Sequence, residues 1–420
     1  MAQLRDDCFA SGTSLMTTAE ALALIANRVG PVTDTEPLGL RGAVSRILAQ
    51  DVIADHDVPL HDNSAVDGYA FAFGELDHGA QTTTFAVSGR AAAGHPLDAK
   101  TEPRTAIRIF TGAVMPTGCD TVAMQEDCDQ TTSQAATIPN GLIRGANRRK
   151  AGEDTSAGTT ILKRGHRLRP QDIGLAATVG RAELLCYRRL RAAIFSTGDE
   201  VHEPGTGVER GGIYDANRYV LLALLDGLGC DVSDLGILPD NRSEISNALD
   251  RAATTADVIV SSGGVSVGEE DHIKAVVEEL GHLHFWRLAI KPGRPLALGQ
   301  IGQIPFIGLP GNPVAAMVTF VRFARPLILR LGGANNVAPN LFRVRADFTH
   351  TKKRNRREWI RARLVAGTDG ALSAQKFDRQ GAGILTSLVD SDGLVELPED
   401  LTHLVAGSMV DFLPFSEVTP

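Results

Sequence analysis

Between residues 190 and 332 the chain repeatedly spells a buried strand followed by an amphipathic helix. No other feature of the 420 residues constrains the fold as strongly. "RAAIFS" is a short apolar run of strand length, and Asn217–Gly229 ("NRYVLLALLDGLG") has helical periodicity. "CDVSDLGIL" and "ADVIVSS" read as strands. Ser243–Ala253, with Ser243 as N-cap, and "DHIKAVVEELG" read as helices. "LHFWRLAI", "PLALG" and "IPFIGLP" follow as strands. A long helix then starts at "GNPVAAM", with Asn312 as N-cap and Pro313 at the first helical position. Strands alternating with helices of this length predict a doubly wound α/β domain with a largely parallel sheet.

The flanks are of other kinds. Residues 15–30 ("LMTTAEALALIANRVG") form a predicted helix stopped by Gly30-Pro31. Residues 62–148 carry short β-prone pieces bounded by Gly, Pro or Asp, among them "DGYAFAF", "TTTFAVSG", "TAIRIFTG" and "TVAMQED", which predicts a small β-rich domain. Residues 149–190 read as a connection with a helix over 170–179. From 335 to 420, "FRVRADF", "WIRARLV", "LVELPED" and "SMVDFLPF" alternate as half-exposed strands do, predicting a small β-barrel or sandwich.

Several function classes fall away. A formal net charge of −8 argues against a duplex nucleic-acid binder, which would show a basic face. Cys8, Cys119, Cys128, Cys186 and Cys230 are scattered without a C-x-x-C pair, so neither a zinc site nor a redox motif is expected, and reduced thiols point to the cytoplasm. The N-terminus lacks the apolar run of a signal peptide. The most apolar stretch, "VAAMVTFVRFARPLILRL", is broken by Arg322, Arg325 and Pro326 and reads as a core helix rather than a membrane span.

Ligands of a doubly wound sheet bind at the carboxyl ends of its strands. The loops there are "STGDE" (196–200), "PDNR" (239–242), "SSGGVSVGEED" (261–271), "KPGRP" (291–295) and "LPGNP" (309–313). Gly264–Gly268 spells G-x-S-x-G, but a nucleophile elbow needs its serine on the turn that directly follows the strand. Here Gly263 and Gly264 make that turn and Ser266 comes later, so the loop reads as a cradle of backbone N–H groups for an anion. No phosphate-binding G-x-x-x-x-G-K-[ST] occurs. Glu200, Asp240 and Asp271 lie on three loops at the same sheet end. Two unit charges 4 Å apart repel by about 4 kcal/mol at an effective dielectric near 20, so converging carboxylates need a cation, and an oxygen-only set favours Mg²⁺. The plainer reading is that Asp240 and Asp271 cap the following helices, worth about 1 kcal/mol each. Lys291 and Arg294 flank a Pro-Gly turn and suit a phosphorylated guest. The runs "RGANRRKAGED" and "TKKRNRR" read as a solvated charge run and a hairpin tip. Residue chemistry alone reaches a multidomain α/β protein that binds a phosphorylated small molecule with Mg²⁺ at its strand ends.

The combined motifs resemble the molybdopterin molybdenumtransferase family. The matching pieces are "LHDNSAVDGYA", "RIFTGAVMPTGCDTV", "RKAGED", "IFSTGDE", "GGIYDANR", "SSGGVSVGEEDHIK", "LAIKPGRPLALG", "GLPGNPVAAMVTF" and "QGAGILTSLVDSDGLVELPED", in family order from about residue 15 onward. The resemblance implies an elongated, discontinuous N-terminal region (15–61 plus 149–188), a small β-rich domain (62–148), an α/β molybdopterin-binding domain (189–332) and a C-terminal β-barrel (335–420). It implies a transferase that inserts molybdate into adenylylated molybdopterin with Mg²⁺, releasing AMP. It further implies a homodimer with the site in a cleft between subunits. Carried over by motif, the catalytic acids are Asp62, Asp154, Glu200, Asp240 and Asp271, with Glu200, Asp240 and Asp271 as metal ligands. The substrate-shaping residues are Thr111, Ser262, Gly263, Gly264, Ser266, Lys291, Arg294, Pro310 and Pro313. Two other readings stand beside this one: a molybdopterin adenylyltransferase, whose core would resemble residues 190–332 alone, and a non-catalytic scaffold or anchoring module.

Overall fold

The computed structural model describes residues 15–132, 134–264, 272–367 and 369–419. The α/β region is built on a six-stranded sheet. Its strand order is Asp231–Leu238, Arg191–Thr197, Val258–Ser262, Ile304–Leu309, Pro295–Ile301, Gly281–Arg287. The first four strands run parallel; the last two pair antiparallel, so the parallel part stops two strands short of the edge. Helices cover both faces, as a doubly wound sheet requires. Asn217–Gly227 and the helical run from Pro313 bury Leu221, Leu225, Val314 and Val318 on one face. Arg242–Thr255 and His272–Leu280 bury Ile245, Leu249, Ile273 and Val276 on the other.

Three local expectations change in the structure. The stretch "LHFWRLAI" is not one strand: the sheet strand ends at Arg287, and Ile290–Lys291 leaves to pair elsewhere. The helix expected to be capped by Ser243 begins at Arg242 and is capped by Asn241, whose side-chain oxygen accepts from the N–H groups of Ser243 (2.9 Å) and Glu244 (3.2 Å). Asn supplies a carbonyl acceptor of the right reach two residues earlier, so it takes the cap. The helix from Pro313 has Asn312 at its N-cap without a side-chain cap bond, and it is not uniform: a π turn spans Phe320–Ala324 before the chain resumes α winding at Arg325–Leu331. Pro326 accounts for this, because its ring lacks an N–H and crowds the carbonyl four residues back, and widening the preceding turn relieves both.

Upstream, the helix Thr18–Arg28 carries a full capping box, with Thr17 and Glu20 each accepting from the other's backbone N–H. Strand Thr35–Gly39 pairs with Glu183–Tyr187, and Val52–Ile53 with Thr160–Leu162, around a core of Ala43, Leu48, Leu162, Leu168 and Leu184. The short pair Asn63–Ser64 and Arg148–Arg149 is a two-stranded sheet of its own, and between its strands in the chain lies a six-stranded sheet with Gly68–Phe71, Thr82–Ala91 and Thr105–Ile109 among its strands. At the C-terminus, Phe342–Ala346, Arg357–Ala366, Leu372–Lys376, Gly393–Leu397 and Met409–Pro414 close into a five-stranded barrel through pairing of Arg357–Ala366 with Gly393–Leu397. No described helix is long and apolar enough to cross a membrane.

The barrel is joined to the α/β region in two ways. Ile290 and Lys291 pair parallel with Arg357 and Glu358, adding a short edge strand to the barrel. Beside them, Trp359 packs edge-on against Phe323 (6.3 Å between ring centres) and donates to Glu396 Oε2 at 3.0 Å. Glu396 also takes Arg322 at 3.3 Å, and Arg357 on its other oxygen. Arg322 and Glu396 are both buried, so each charge depends on the other for compensation. Replacing Glu396 by Ala should therefore lower unfolding free energy by about 3–5 kcal/mol in urea titrations. Glu396→Gln, which keeps an acceptor for Trp359, should lose less.

Candidate functional site

The carboxyl ends of the four parallel strands open into a cleft of about 840 Å³. One wall is Lys291 and the Pro-Gly turn that follows it; the barrel contributes another through Gln380, Gly381 and Ala382. The barrel wall is fixed in place where Val314 N–H donates to the Ala382 carbonyl at 2.9 Å.

Nine of the residues singled out in the sequence line this cleft: Glu200, Asp240, Ser262, Gly263, Gly264, Lys291, Arg294, Pro310 and Pro313. Asp271 and Ser266 lie outside the described residues. Glu200 and Asp240 are exposed, and among the described residues neither carboxylate has a hydrogen bond or ion pair. With Asn241 capping the following helix, Asp240 has no capping duty, which removes the plainer reading of that residue. Among the described residues no three His, Cys, Asp or Glu side chains form a metal-holding group. The two free acids still supply hard oxygen donors of the kind Mg²⁺ takes, so the donor chemistry fits that ion.

Backbone geometry shapes the floor. Strand Val258–Ser262 ends in Gly263 and Gly264, at φ +85° and +64°. A side chain on Gly264 would meet Ile273 Cδ1 at 2.3 Å and Thr197 Cγ2 at 2.8 Å, so this turn can only be glycine. The Ser196 and Thr197 hydroxyls are buried beside it without a hydrogen-bond partner.

The positive side is Lys291 and Arg294. The Lys291 ammonium is half exposed and lies 3.5 Å from Glu358 Oε2. Glu358 is buried; it also takes His350 Nε2 at 3.1 Å and Arg356 on its second oxygen. Burial pushes the Glu358 carboxyl up, but His350, Arg356 and Lys291 more than offset this and hold it below its ordinary value. The Arg294 guanidinium has no partner among the described residues.

Asp62, Thr111 and Asp154 do not line the cleft of their own chain. Asp62 accepts from Ala151 N–H at 2.8 Å and faces Arg148 at 3.4 Å. Thr111 donates through N–H and hydroxyl to Asp67 Oδ1, both at 2.8 Å, and these two bonds hold the Asp67 carboxyl below its usual range. Asp154 is exposed in the turn that follows, its N–H bonded to Val58.

Sequence reasoning missed the residues that set the cleft's frame. Arg218, almost fully buried, donates to Asp215 (3.0 Å) and also binds Asp234 and Glu203. Asn217 Nδ2 donates to Gly311 O at 2.7 Å, tying the helix start to the "LPGNP" loop. The motif "YDANR" contained this signal, since Asp215 and Arg218 are spaced i, i+3 at a helix start. No periodicity or residue chemistry assigns Gln380–Ala382 to the cleft, although they open the motif "QGAGILTSLVDSDGLVELPED"; they reach it because the barrel docks there.

At the turn between Lys291 and Arg294, Gly293 sits at φ +87°, and a Cβ there would meet Thr319 Cγ2 at 2.8 Å and Ala315 O at 3.1 Å. Gly293→Ala should cost about 1–3 kcal/mol in urea unfolding through backbone strain and crowding.

Comparison with known proteins bears on the whole chain. Residues 16–180 match "MoeA N-terminal region (domain I and II)", residues 193–330 "Probable molybdopterin binding domain", and residues 343–415 "MoeA C-terminal region (domain IV)". A molybdopterin molybdenumtransferase of Haemophilus influenzae is 38% identical over 405 residues, covering 96% of this chain and all of the relative. One of a Nostoc species is 34% identical over 410 residues, covering 94% and 92%. A crystal structure of the molybdopterin biosynthesis moeA protein of Pyrococcus horikoshii superimposes with a TM-score of 0.81 at 27% identity, covering 96% of this chain and 100% of that one.

Proposed function

The chain belongs to the molybdopterin molybdenumtransferase family, and from that premise we propose how its cleft works: it holds adenylylated molybdopterin and molybdate side by side, so that molybdenum enters the dithiolene while AMP leaves. The protein is a transferase of molybdenum cofactor biosynthesis. The observation that carries the finer reading is the division of charge around one cleft. Lys291 and Arg294 stand on one side, and the uncommitted carboxylates of Glu200 and Asp240 on another.

Both substrates are anions, and each residue has a part that follows from this. Arg294, a planar fork of donors, suits a phosphoryl or molybdate oxygen pair; Lys291 supplies a point charge. In the Ser262–Gly264 turn the Gly263 N–H is taken by the Leu309 carbonyl at 3.1 Å, so what the turn presents to an anion is the Gly264 N–H, and Pro310 and Pro313 stiffen the facing loop. Glu200, Asp240 and Asp271 would hold Mg²⁺, which when bound neutralises the phosphates that bare carboxylates repel.

Asp62, Thr111 and Asp154 do not line their own cleft, and a homodimer gives them a role if this part of one protomer faces the cleft of the other. A molybdopterin adenylyltransferase would supply the adenylylated substrate, and the free thiols of Cys119, Cys128, Cys186 and Cys230 suit the cytoplasm.

The test is to incubate the purified protein with adenylylated molybdopterin, molybdate and Mg²⁺. AMP release coupled to molybdenum incorporation is expected. Robust adenylate formation from molybdopterin and Mg-ATP, with no insertion, would instead mark an adenylyltransferase. Asp240→Ala should lower insertion by about 100-fold, the scale on which one group of a preorganised polar site acts. Full cofactor synthesis in cells carrying that variant would favour a scaffold. Asp271→Asn should abolish insertion at low molybdate while the dimer stays folded, as sedimentation would show; wild-type turnover would remove Asp271 from the site.

A further inference from the structure

We propose that Glu358, a barrel residue outside the cleft wall, is a positioning residue that tempers the charge of Lys291 and so sets how tightly the cleft holds its oxyanion. This rests on the reading of the cleft as a molybdate site.

The argument starts from the backbone. Lys291 is paired with Glu358 strand to strand, so the two side chains leave adjacent positions on neighbouring strands. Pro292 and the packed Gly293 follow directly, so the backbone at Lys291 is held without help from a carboxylate. What Glu358 adds is charge. It is 2% exposed, yet its Oε2 reaches the Lys291 ammonium at 3.5 Å and His350 Nε2 at 3.1 Å, while Arg356 holds Oε1.

No other carboxylate takes this part among the described residues. Glu396 and Glu399 bind Arg357, and Lys352 turns its ammonium to the carbonyls of Lys353, Arg356 and Glu399. Glu358 is therefore the one anion set against the cleft's lysine among these residues. An incoming oxyanion must compete with it for the same ammonium. That competition weakens ground-state binding and eases release, which serves turnover when substrate and product are both anionic. The barrel thereby acts on the chemistry of a cleft that the α/β sheet builds.

A double-mutant cycle on the full-length protein tests this. Glu358→Gln keeps size and hydrogen-bonding capacity but removes the charge. Calorimetric titration with molybdate alone should show binding at least about threefold tighter than wild type, the low end for coupling between contacting residues. The KM for molybdate should fall in parallel. In a Lys291→Met background the same change should leave molybdate affinity unaltered, an outcome that a merely structural role for Glu358 would not produce. Unchanged or weaker binding in Glu358→Gln, or an equal shift with Lys291→Met, overturns the proposal. Should Glu358→Gln fail to fold because His350 and Arg356 lose their anion, Glu358→Asp carries the test. It keeps the charge in the barrel but withdraws it from Lys291, and tighter binding that depends on Lys291 is again expected. A wild-type protein that transfers no molybdenum would sink the reading of the cleft; an active wild type with no coupling would sink only the role of Glu358.

Discussion

Two residues, Ile290 and Lys291, leave one sheet and hydrogen-bond to another. Their parallel pairing with Arg357 and Glu358 makes the barrel part of the cleft rather than an appendage. Together with the Val314 N–H bond to the Ala382 carbonyl it fixes Gln380–Ala382 relative to the strand ends, and without it Lys291 would be a lysine on a free loop. The buried Arg322, Trp359 and Glu396, with the partly exposed Arg357, reinforce the same seam with charge that cannot be solvated elsewhere. Such networks contribute little net stability over apolar packing, but they punish any misaligned docking because an unpaired buried charge costs several kcal/mol.

The cleft brings together two kinds of rigidity. Its floor is rigid because glycine turns at Gly264 and Gly293 leave no room for side chains. Its rim is rigid because Arg218 satisfies three carboxylates at once and Asn217 ties the helix start to Gly311. Against that frame three cleft-lining side chains are left uncommitted: those of Glu200, Asp240 and Arg294 have no partner among the described residues. Preorganised surroundings with unspent polar groups are what a site for charged substrates requires.

Much of this was legible in the sequence because it is local. The strand–helix alternation, the Gly and Pro loops at the strand ends and the placement of Glu200, Asp240, Lys291 and Arg294 on one cleft all follow from periodicity and the geometry of parallel sheets. The antiparallel edge did not show, since a buried strand reads the same in either direction. Ser243 was a plausible cap by type, but the reach of Asn241 decided the matter. The barrel's share of the cleft and the ion pairs of "TKKRNRR" were invisible. They arise from docking between segments about 65 residues apart, as with Lys291 and Glu358, and a charged run carries no mark of its eventual partner.

The π turn at Phe320–Ala324 has an implication of its own. One helix must show Val314 and Val318 to the α/β sheet and, further along, Arg322 and Phe323 to the barrel. A regular α-helix advances about 100° per residue, so the extra residue accommodated in the wide turn rotates everything downstream by about that angle. The turn thus acts as a phase shifter within the one core that the α/β sheet and the barrel share. Segment length there matters more than composition: a deletion of a single residue in the turn would rotate the downstream Leu327, Ile328 and Leu331 off the core they now fill, whereas many apolar exchanges at neighbouring positions would leave the phase intact.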